Sequence, residues 1–207
     1  MIKIPRPVDQ KPAIFIRVLK RLMFLLGKVT VTGYEHLNGP HGKVIVCNHV
    51  GWVDPLWIGY AAFPHTLHQM AKKELFDNRV IGWFVRSGGG FPVDRGRPSA
   101  ATIKHAVSLV AQGHLLLIFP GGTRSREVAD SKRGAAMIAL RAKGQIIPAY
   151  YDGPNRLRLI HLLRRPKIHI TFGTSIAVSE DMQPTKEAAL QLTSELDQAM
   201  KTISQEC

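Results

Sequence analysis

The amino-acid sequence predicts an α/β fold: a single domain with a mixed, mostly parallel sheet flanked by helices, preceded by an N-terminal amphipathic helix. Segments typical of strands and of helices alternate along most of the chain. Residues 115–119 form a continuous apolar run, which is typical of a strand buried on both faces. The length of 207 residues suits one domain with a small appendage. We therefore divide the chain into an N-terminal segment, residues 1–28, and a main domain, residues 29–207.

The N-terminal segment has the pattern of a basic amphipathic helix over residues 13–26. Eleven of these fourteen residues are apolar, and at about 100° per residue the nearby basic side chains share one face. Those basic residues are Arg17, Lys20, Arg21 and Lys28. The run is too short and too charged to span a bilayer, which needs ~20 predominantly apolar residues. The helix therefore either lies in a membrane interface or packs against the core of the protein.

The main domain alternates between the two periods of secondary structure. Strands are predicted over residues 29–32, 43–47, 67–71, 115–119, 146–151 and 167–172. Helices are predicted over residues 55–63, 99–112, 133–142 and 185–204. In a sheet of this class the functional site lies beyond the carboxyl ends of the strands. Residues that directly follow a buried strand are therefore the first candidates for chemistry.

The charge of the chain predicts an anionic partner. Twenty-eight Lys and Arg residues stand against 15 Asp and Glu residues, which gives a formal net charge of +13. Nucleic acid, anionic lipid headgroups and phosphorylated substrates all fit such a charge. Aromatic residues make up only 7% of the chain and no nucleic-acid recognition motif is present, which argues against a nucleic-acid partner.

The cysteine and histidine patterns favour a reducing compartment and no metal. The two cysteines, Cys47 and Cys207, form no disulfide framework or zinc-knuckle spacing. The nine histidines form no metal-binding motif. Residues 1–9 hold two prolines and no apolar stretch, so no secretory signal is predicted.

His49 follows a predicted buried strand almost directly and stands five residues before Asp54. On a continuous helix these side chains would point about 140° apart. Pro55 fits the first turn of a helix capped by Asp54, so residues 49–53 form a loop with Gly51 as its flexible point. Such a loop can fold the imidazole onto the carboxylate, which fixes its tautomer and leaves its other nitrogen to accept a proton. The alternative is that Asp54 only caps the helix and His49 is a polar loop residue.

Two further segments combine glycines with basic residues. In residues 88–96 three successive glycines precede Arg95, whose planar guanidinium suits a phosphate. In residues 119–126 the N–H groups of Gly121 and Gly122 lie beside a threonine, a serine and two arginines. Each segment is either an anion-binding loop or an ordinary glycine-rich turn with solvated arginines. Neither matches a nucleotide-binding P-loop.

The order of these segments resembles the 1-acylglycerol-3-phosphate acyltransferase family over residues 29–178. The motifs that carry the resemblance are Asn48-His49-x4-Asp54, Gly-x-Phe-x-x-x-Arg95, Phe119-Pro120-x-Gly122-Thr123-Arg124-Ser125 and an apolar strand with Pro148. Further similar segments are Lys132-Arg133-Gly134-Ala135-Ala136 and Arg164-Arg165-Pro166 to Phe172-Gly173. One such motif is common by chance, whereas four in the same order are highly specific.

The resemblance implies an O-acyltransferase of phospholipid biosynthesis. The donor would be an acyl thioester, either acyl-CoA or acyl carrier protein, and no other cofactor is implied. The acceptor would be 1-acyl-glycerol-3-phosphate (lysophosphatidate) and the product phosphatidate. His49 would be the general base on the acceptor hydroxyl, and Asp54 would orient it. Lys72 would stabilise the oxyanion of the tetrahedral intermediate, unless it is a solvated lysine beside Lys73.

By the same resemblance, the acceptor phosphate would be bound by four residues: Arg95, Gly122, Thr123 and Arg124. The family usually carries Glu at the position of Gly121, so this chain has a more positive segment there. That departure leaves alternative acceptors: glycerol 3-phosphate, another lysophospholipid or an acylated amino lipid. A non-enzymatic module that binds membranes or nucleic acid is the less favoured interpretation.

The resemblance also favours the membrane interpretation of the N-terminal helix. A lysolipid acceptor lies in the bilayer, and each basic residue near an anionic surface contributes ~1 kcal/mol of attraction. We therefore expect a peripheral or monotopic protein at the cytoplasmic face of a membrane. No oligomeric state follows from the sequence.

Overall fold

The computed structural model describes residues 21–94, 98–121, 125–156, 158, 160–179 and 181–205. The strands are β1 (Lys28–Thr32), β2 (Lys43–Cys47), β3 (Leu67–Lys72), β4 (Gly90–Val93), β5 (Leu115–Ile118), β6 (Gln145–Asp152) and β7 (Lys167–Phe172). The helices are α1 (Asp54–Ala61), α2 (Arg79–Ser87), α3 (Ala100–Ala111), α4 (Ser125–Ala142), α5 (Ile160–Arg164) and α6 (Lys186–Gln205). Residues 21–26 are also helical, and 3-10 turns span Tyr34–Leu37 and Lys73–Phe76.

The seven strands form one sheet in the order β1-β7-β6-β2-β5-β3-β4. β2 pairs in parallel with β5 and with β6, and β3 and β4 continue in the same direction. β7 is antiparallel to β6, and β1 is parallel to β7, so these two strands run against the other five. The carboxyl ends of the five parallel strands therefore meet at one edge, which we name the carboxyl edge.

Both faces of the sheet are covered. Along β2, Ile45 and Cys47 face one core, and Val44 and Val46 face the other. The first core includes Trp57 of α1, and the second is covered by α3, α4 and α6. Every residue of β2 is buried, which explains why this strand and β5 have continuous apolar sequences.

The predicted fold class is confirmed, and all six predicted strands are present with ends within one residue of the prediction. The helices predicted over 55–63, 99–112 and 185–204 are also present, as α1, α3 and α6. The start predicted for α4 at residue 133 was wrong, because this helix begins at Ser125. Its first two turns are mostly polar and show no apolar period, so the sequence pattern detected only the buried second half.

The interpretation of residues 88–96 as a loop that approaches a ligand needs correction. β4 occupies residues 90–93 and pairs with β3. Gly89 has φ +85°, and a Cβ there would lie 2.3 Å from the carbonyl oxygen of Leu67. This glycine therefore permits a turn and close packing against β3. The sequence patterns also failed to predict α2 and α5.

The described part of the N-terminal helix packs against the core with some of its apolar side chains and exposes the others. Met23 and Leu26 are buried in the core that α1 covers. Its other large apolar side chains are exposed: Leu22, Phe24 and Leu25. One face of this helix therefore packs against the protein, and a second apolar face remains outside.

Arg165 holds the end of this helix. Its guanidinium donates hydrogen bonds to the carbonyl oxygens of Phe24 and Gly27 and lies over the Phe24 ring, 4.6 Å from the ring centroid. A cation at the carboxyl end of a helix pairs with carbonyl groups that have no partner within the helix. Arg165 therefore fixes the direction in which the exposed apolar face points.

The four basic residues predicted to share one helix face have different positions. Arg17 and Lys20 lie outside the described residues, and Arg21 is exposed. The placement of Lys28 on the helix was wrong: it is the first residue of β1, and its N–H donates to the carbonyl of Pro166 over 2.9 Å. Among the described residues, no helix combines the length and the apolar character needed to cross a bilayer.

Candidate active site

His49 and Asp54 are in contact at the carboxyl edge, in the loop that leaves β2. His49 Nδ1 lies 2.9 Å from Asp54 Oδ2. The Asp54 side chain is fully buried, whereas that of His49 is 29% exposed. A proton on Nδ1 that is donated to the carboxylate leaves Nε2 as the basic ring nitrogen. The predicted contact is therefore present, with one partner sheltered and the other open to a substrate.

Asp54 receives three N–H groups on one oxygen. Besides the His49 ring, the backbone N–H groups of Val50 and Gly51 donate to Oδ2 over 2.7 Å and 2.9 Å. Asp54 also opens α1, where the helix dipole favours a negative charge. These interactions stabilise a carboxylate in a position that water does not reach.

The prediction that Asp54 is the N-cap of α1 was wrong. The cap position belongs to Val53, which makes no side-chain capping bond, and the helix begins at Asp54 itself. The physical reason is that the Asp54 carboxylate turns back to the preceding loop and not forward to the N–H groups of the helix. The Asp54 carboxylate therefore stabilises the His49 loop and does not cap the helix.

Gly51 has a more specific role than the flexible point that the sequence predicts. A Cβ at Gly51 would lie 2.1 Å from the carbonyl oxygen of Asn155, which follows β6. No side chain fits at that distance, so the loop passes against the backbone of residue 155 only because glycine is there. This close approach fixes the path of the loop between His49 and Asp54.

Asn48 is a positioning residue that the sequence patterns did not identify beyond its place in the motif. Its Oδ1 accepts the backbone N–H of Tyr151 over 2.7 Å, and its Nδ2–H donates to the carbonyl of the same residue over 2.9 Å. The Asn48 side chain thus makes the two hydrogen bonds to β6 that the backbone of a further residue of β2 would make. The loop that carries His49 starts from a point fixed on the neighbouring strand.

Cys47 and Tyr151 lie behind the site and are not available as nucleophiles. Burial, and next the Asp54 carboxylate, raise the pKa of the Cys47 thiol well above its ordinary value. Burial and the same carboxylate also raise the pKa of the Tyr151 phenol. The Tyr151 hydroxyl donates to the carbonyl of Pro154 over 2.9 Å. Both groups therefore stay protonated near neutral pH.

Phe119 connects His49 to the second glycine-rich segment. The two rings lie 4.6 Å apart between centroids, tilted by 35°. Phe119 directly follows β5, the neighbour of β2, so chain order and strand pairing bring the start of residues 119–126 to the imidazole. The predicted phosphate ligands Gly122, Thr123 and Arg124 lie outside the described residues, as does Arg95. Their roles stay predictions.

Lys72 is the last residue of β3, at the same carboxyl edge. Its side chain is 55% exposed, and its ammonium lies 3.6 Å from a carboxylate oxygen of Glu74. Its neighbour Lys73 pairs with Asp94 over 2.9 Å, and this hydrogen bond raises the pKa of Lys73. The oxyanion role of Lys72 stays a prediction, beside the alternative of a solvated lysine. Among the described residues, no group of three His, Cys, Asp or Glu side chains is placed to hold a metal ion.

Comparison with known proteins identifies the family of this chain and agrees with its fold. The sequence profile of the acyltransferase family matches residues 28–152. The 1-acyl-sn-glycerol-3-phosphate acyltransferase of Bacillus subtilis is 38% identical over 186 residues, which cover 89% of this chain and 92% of that protein. The protein of the same name from Streptococcus pneumoniae is 40% identical over 144 residues, 69% of this chain and 53% of that protein.

A solved structure supports the fold independently. The crystal structure of the 1-acyl-sn-glycerophosphate acyltransferase of Thermotoga maritima superposes with a TM-score of 0.64 at 19% identity. The match covers 92% of this chain and 78% of that protein. With the profile match over more than half of its length and a relative aligned over most of it, this chain belongs to the acyltransferase family and is an O-acyltransferase.

Proposed function

We propose that this enzyme transfers a fatty acyl group from an acyl thioester to the free hydroxyl of 1-acyl-glycerol-3-phosphate, which yields phosphatidate. The observation that carries the proposal is the contact of His49 with the buried Asp54 at the carboxyl edge. The names of the relatives from Bacillus subtilis and Streptococcus pneumoniae support this acceptor. A base held at that position is what an alcohol needs to become a nucleophile near neutral pH.

In the proposed mechanism, His49 Nε2 removes the proton from the acceptor hydroxyl as its oxygen attacks the thioester carbonyl carbon. A tetrahedral intermediate forms, with the negative charge on the former carbonyl oxygen. The carbon–sulfur bond then breaks, and the leaving thiolate takes the proton from the imidazolium. Asp54 holds Nδ1–H throughout and stabilises the imidazolium while it exists.

The acceptor phosphate and the oxyanion need cationic partners. We assign the phosphate to Arg95, Gly122, Thr123 and Arg124, on the basis of the family resemblance. The contact of Phe119 with His49 supports this assignment, because three of these four residues follow Phe119 within five positions. We assign the oxyanion to Lys72, because it ends β3 at the carboxyl edge.

The donor is proposed to be acyl-CoA or acyl carrier protein, with no cofactor. The enzyme is proposed to work as a peripheral or monotopic protein at the cytoplasmic face of a membrane. The exposed apolar face of residues 21–26 supports this proposal, since Arg165 holds it in a fixed direction. Such a face would lie in the interface of a bilayer that contains the acceptor lipid.

Gly121 motivates one alternative within the same chemistry. Because the family usually carries Glu at this position, the acceptor could instead be glycerol 3-phosphate, another lysophospholipid or an acylated amino lipid. Purified protein in vesicles would be given an acyl-CoA, and in a parallel series an acylated acyl carrier protein, together with each acceptor in turn, and thiol release would be followed. We expect release with lysophosphatidate above all other acceptors. A stronger response to another acceptor would establish the alternative, and no release with either donor would refute the acyl transfer proposed here.

A further inference from the structure

Helix α2 directs its large apolar side chains outward. Val80 is 75% exposed and Trp83 is 57% exposed, and Ile81 and Phe84 are exposed as well. At about 100° per residue these four side chains cover roughly 160° of the helix surface. In an aqueous environment this side of a surface helix should carry polar residues.

The inner side of α2 offers little apolar surface to the protein. Gly82 is buried, and a Cβ there would lie 3.1 Å from Cα of Phe76, so the backbone of the helix rests on the 3-10 turn before it. Val85 is half-buried, and the guanidinium of Arg86, which is itself exposed, lies over the Phe76 ring, 5.0 Å from its centroid. Most of the large apolar side chains of α2 therefore lie on its exposed side, unlike those of a helix that covers a core in water.

We propose that α2 is a second membrane-docking element, which inserts Val80, Ile81 and Trp83 into the interface of an anionic bilayer. This inference deepens the proposed function, on which it rests for the presence of a lipid acceptor. Apolar side chains inserted about 5–10 Å below the headgroups, with cations at their rim, are typical of interfacial helices. Arg79 opens the helix, Arg86 lies in its last turn, and both are exposed. The net charge of +13 adds long-range attraction to an anionic surface.

The position of α2 fits the same surface as the N-terminal helix. α2 starts shortly after Lys72, which ends β3 at the carboxyl edge, and leads to β4 at one end of the sheet. Residues 21–26 lead into β1 at the other end of the sheet. Because β1 runs against the parallel strands, it also starts at the carboxyl edge. The start of α2 and residues 21–26 therefore both lie toward the carboxyl edge, at the two ends of the strand order, and α2 then runs back along the sheet to the start of β4.

Exposed apolar residues in the His49 loop complete this surface. Val50 and Trp52 are exposed at the carboxyl edge, between the two flanking segments in the order of the strands. A bilayer that contacts both flanks would bring a lipid acceptor to the imidazole without removing it from the membrane.

The fluorescence of Trp83 tests the insertion directly. In a Trp52→Phe protein the remaining tryptophans are Trp83, which is exposed, and Trp57, which is buried in the core. Vesicles of phosphatidylglycerol and brominated phosphatidylcholine should shift the Trp83 emission to the blue and quench it by about half. A Trp52→Phe/Trp83→Phe protein should show neither change. Protein that sediments with the vesicles while Trp83 stays unquenched would overturn the proposal.

A matched pair of charge variants tests the contribution to binding. Val80→Asp should weaken partitioning to the same vesicles by at least about tenfold, whereas Leu190→Asp, on an exposed position of α6, should not. Circular dichroism melting confirms that both variants fold. These vesicles contain no acceptor, so the result is separate from any failure of acyl transfer. Equal binding of both variants would overturn the proposal. A dimer in analytical ultracentrifugation that only Val80→Asp dissociates would assign this face to a second copy of the chain instead.

Discussion

The loop of residues 48–54 and the segment of residues 72–87 both follow a parallel strand at the carboxyl edge, yet they are built in opposite ways. In the loop, Asn48, Gly51 and Asp54 are all fixed by backbone contacts or hydrogen bonds. In the second segment most residues are exposed, and the described ion pairs lie on the surface. A group that moves a proton must be held within a fraction of an ångström. A surface that meets lipid needs area and not exact placement, so the two segments fit the two different roles proposed for them.

The largest effect should come from replacing His49, the proposed general base. His49→Ala should lower kcat by at least ~100-fold, because the other groups that contact Asp54 Oδ2 are backbone N–H donors, which cannot accept a proton. Thiol release from an acyl thioester in the presence of lysophosphatidate measures the loss. Full activity of this variant would remove His49 from the mechanism.

Gly51→Ala should be the next largest change. The added Cβ would collide with the Asn155 carbonyl, so the free energy of unfolding should fall by about 1–3 kcal/mol and kcat by ~10- to 100-fold as the imidazole moves. Gly59→Ala in α1 is the matched control, because nothing lies within 4 Å of its added Cβ. The control should gain about 0.5–1 kcal/mol from helix propensity. Equal stability of the two variants in denaturant unfolding would show that the loop does not depend on the close approach.

Asn48→Ala should have a smaller effect, again on both stability and rate. The substitution removes the two hydrogen bonds that the Asn48 amide makes to the N–H and carbonyl of Tyr151. Their loss should lower the free energy of unfolding by about 1–3 kcal/mol. We expect kcat to fall by ~10-fold with little change in KM, because the loop that carries the base loosens while the acceptor phosphate is bound elsewhere. A raised KM with unchanged kcat would argue that Asn48 contributes to acceptor binding.

The smallest effect should come from the exposed segment. Lys73→Ala removes a surface ion pair with Asp94, and solvent-exposed pairs contribute little to stability. The midpoint of thermal unfolding should stay within measurement error of the parent protein. A clear drop in the midpoint would mean that this segment is held more firmly than its exposure indicates.

The sequence patterns predicted the structural features that depend on residues close together in the chain. The strand at Lys43–Cys47 stands out because five consecutive residues become buried on two faces. The contact of His49 with Asp54 spans only five residues, so loop chemistry was enough to anticipate it. β4 was not predicted because it contains Gly90 and Pro92, which are unusual within strands but acceptable at the edge of a sheet.

Features that depend on distant residues could not be predicted from local patterns. The bonds of Asn48 reach Tyr151, 103 positions away, and Gly51 meets the backbone of Asn155. Only the assembled sheet reveals that these residues are neighbours. α2 differs from these features, because Val80, Ile81, Trp83 and Phe84 share one side of the helix by their spacing alone, so its sequence does carry a helical pattern that was not recognised.

The hydrogen bonds between Asn48 and Tyr151 have a consequence for how the enzyme folds. The loop of His49 is fixed only after β2 and β6, which are far apart in the chain, have paired, and such distant pairing is slow compared with helix formation. A refolding chain would therefore recover its circular dichroism signal before its turnover. The recovery of activity would then report when these distant strands have paired.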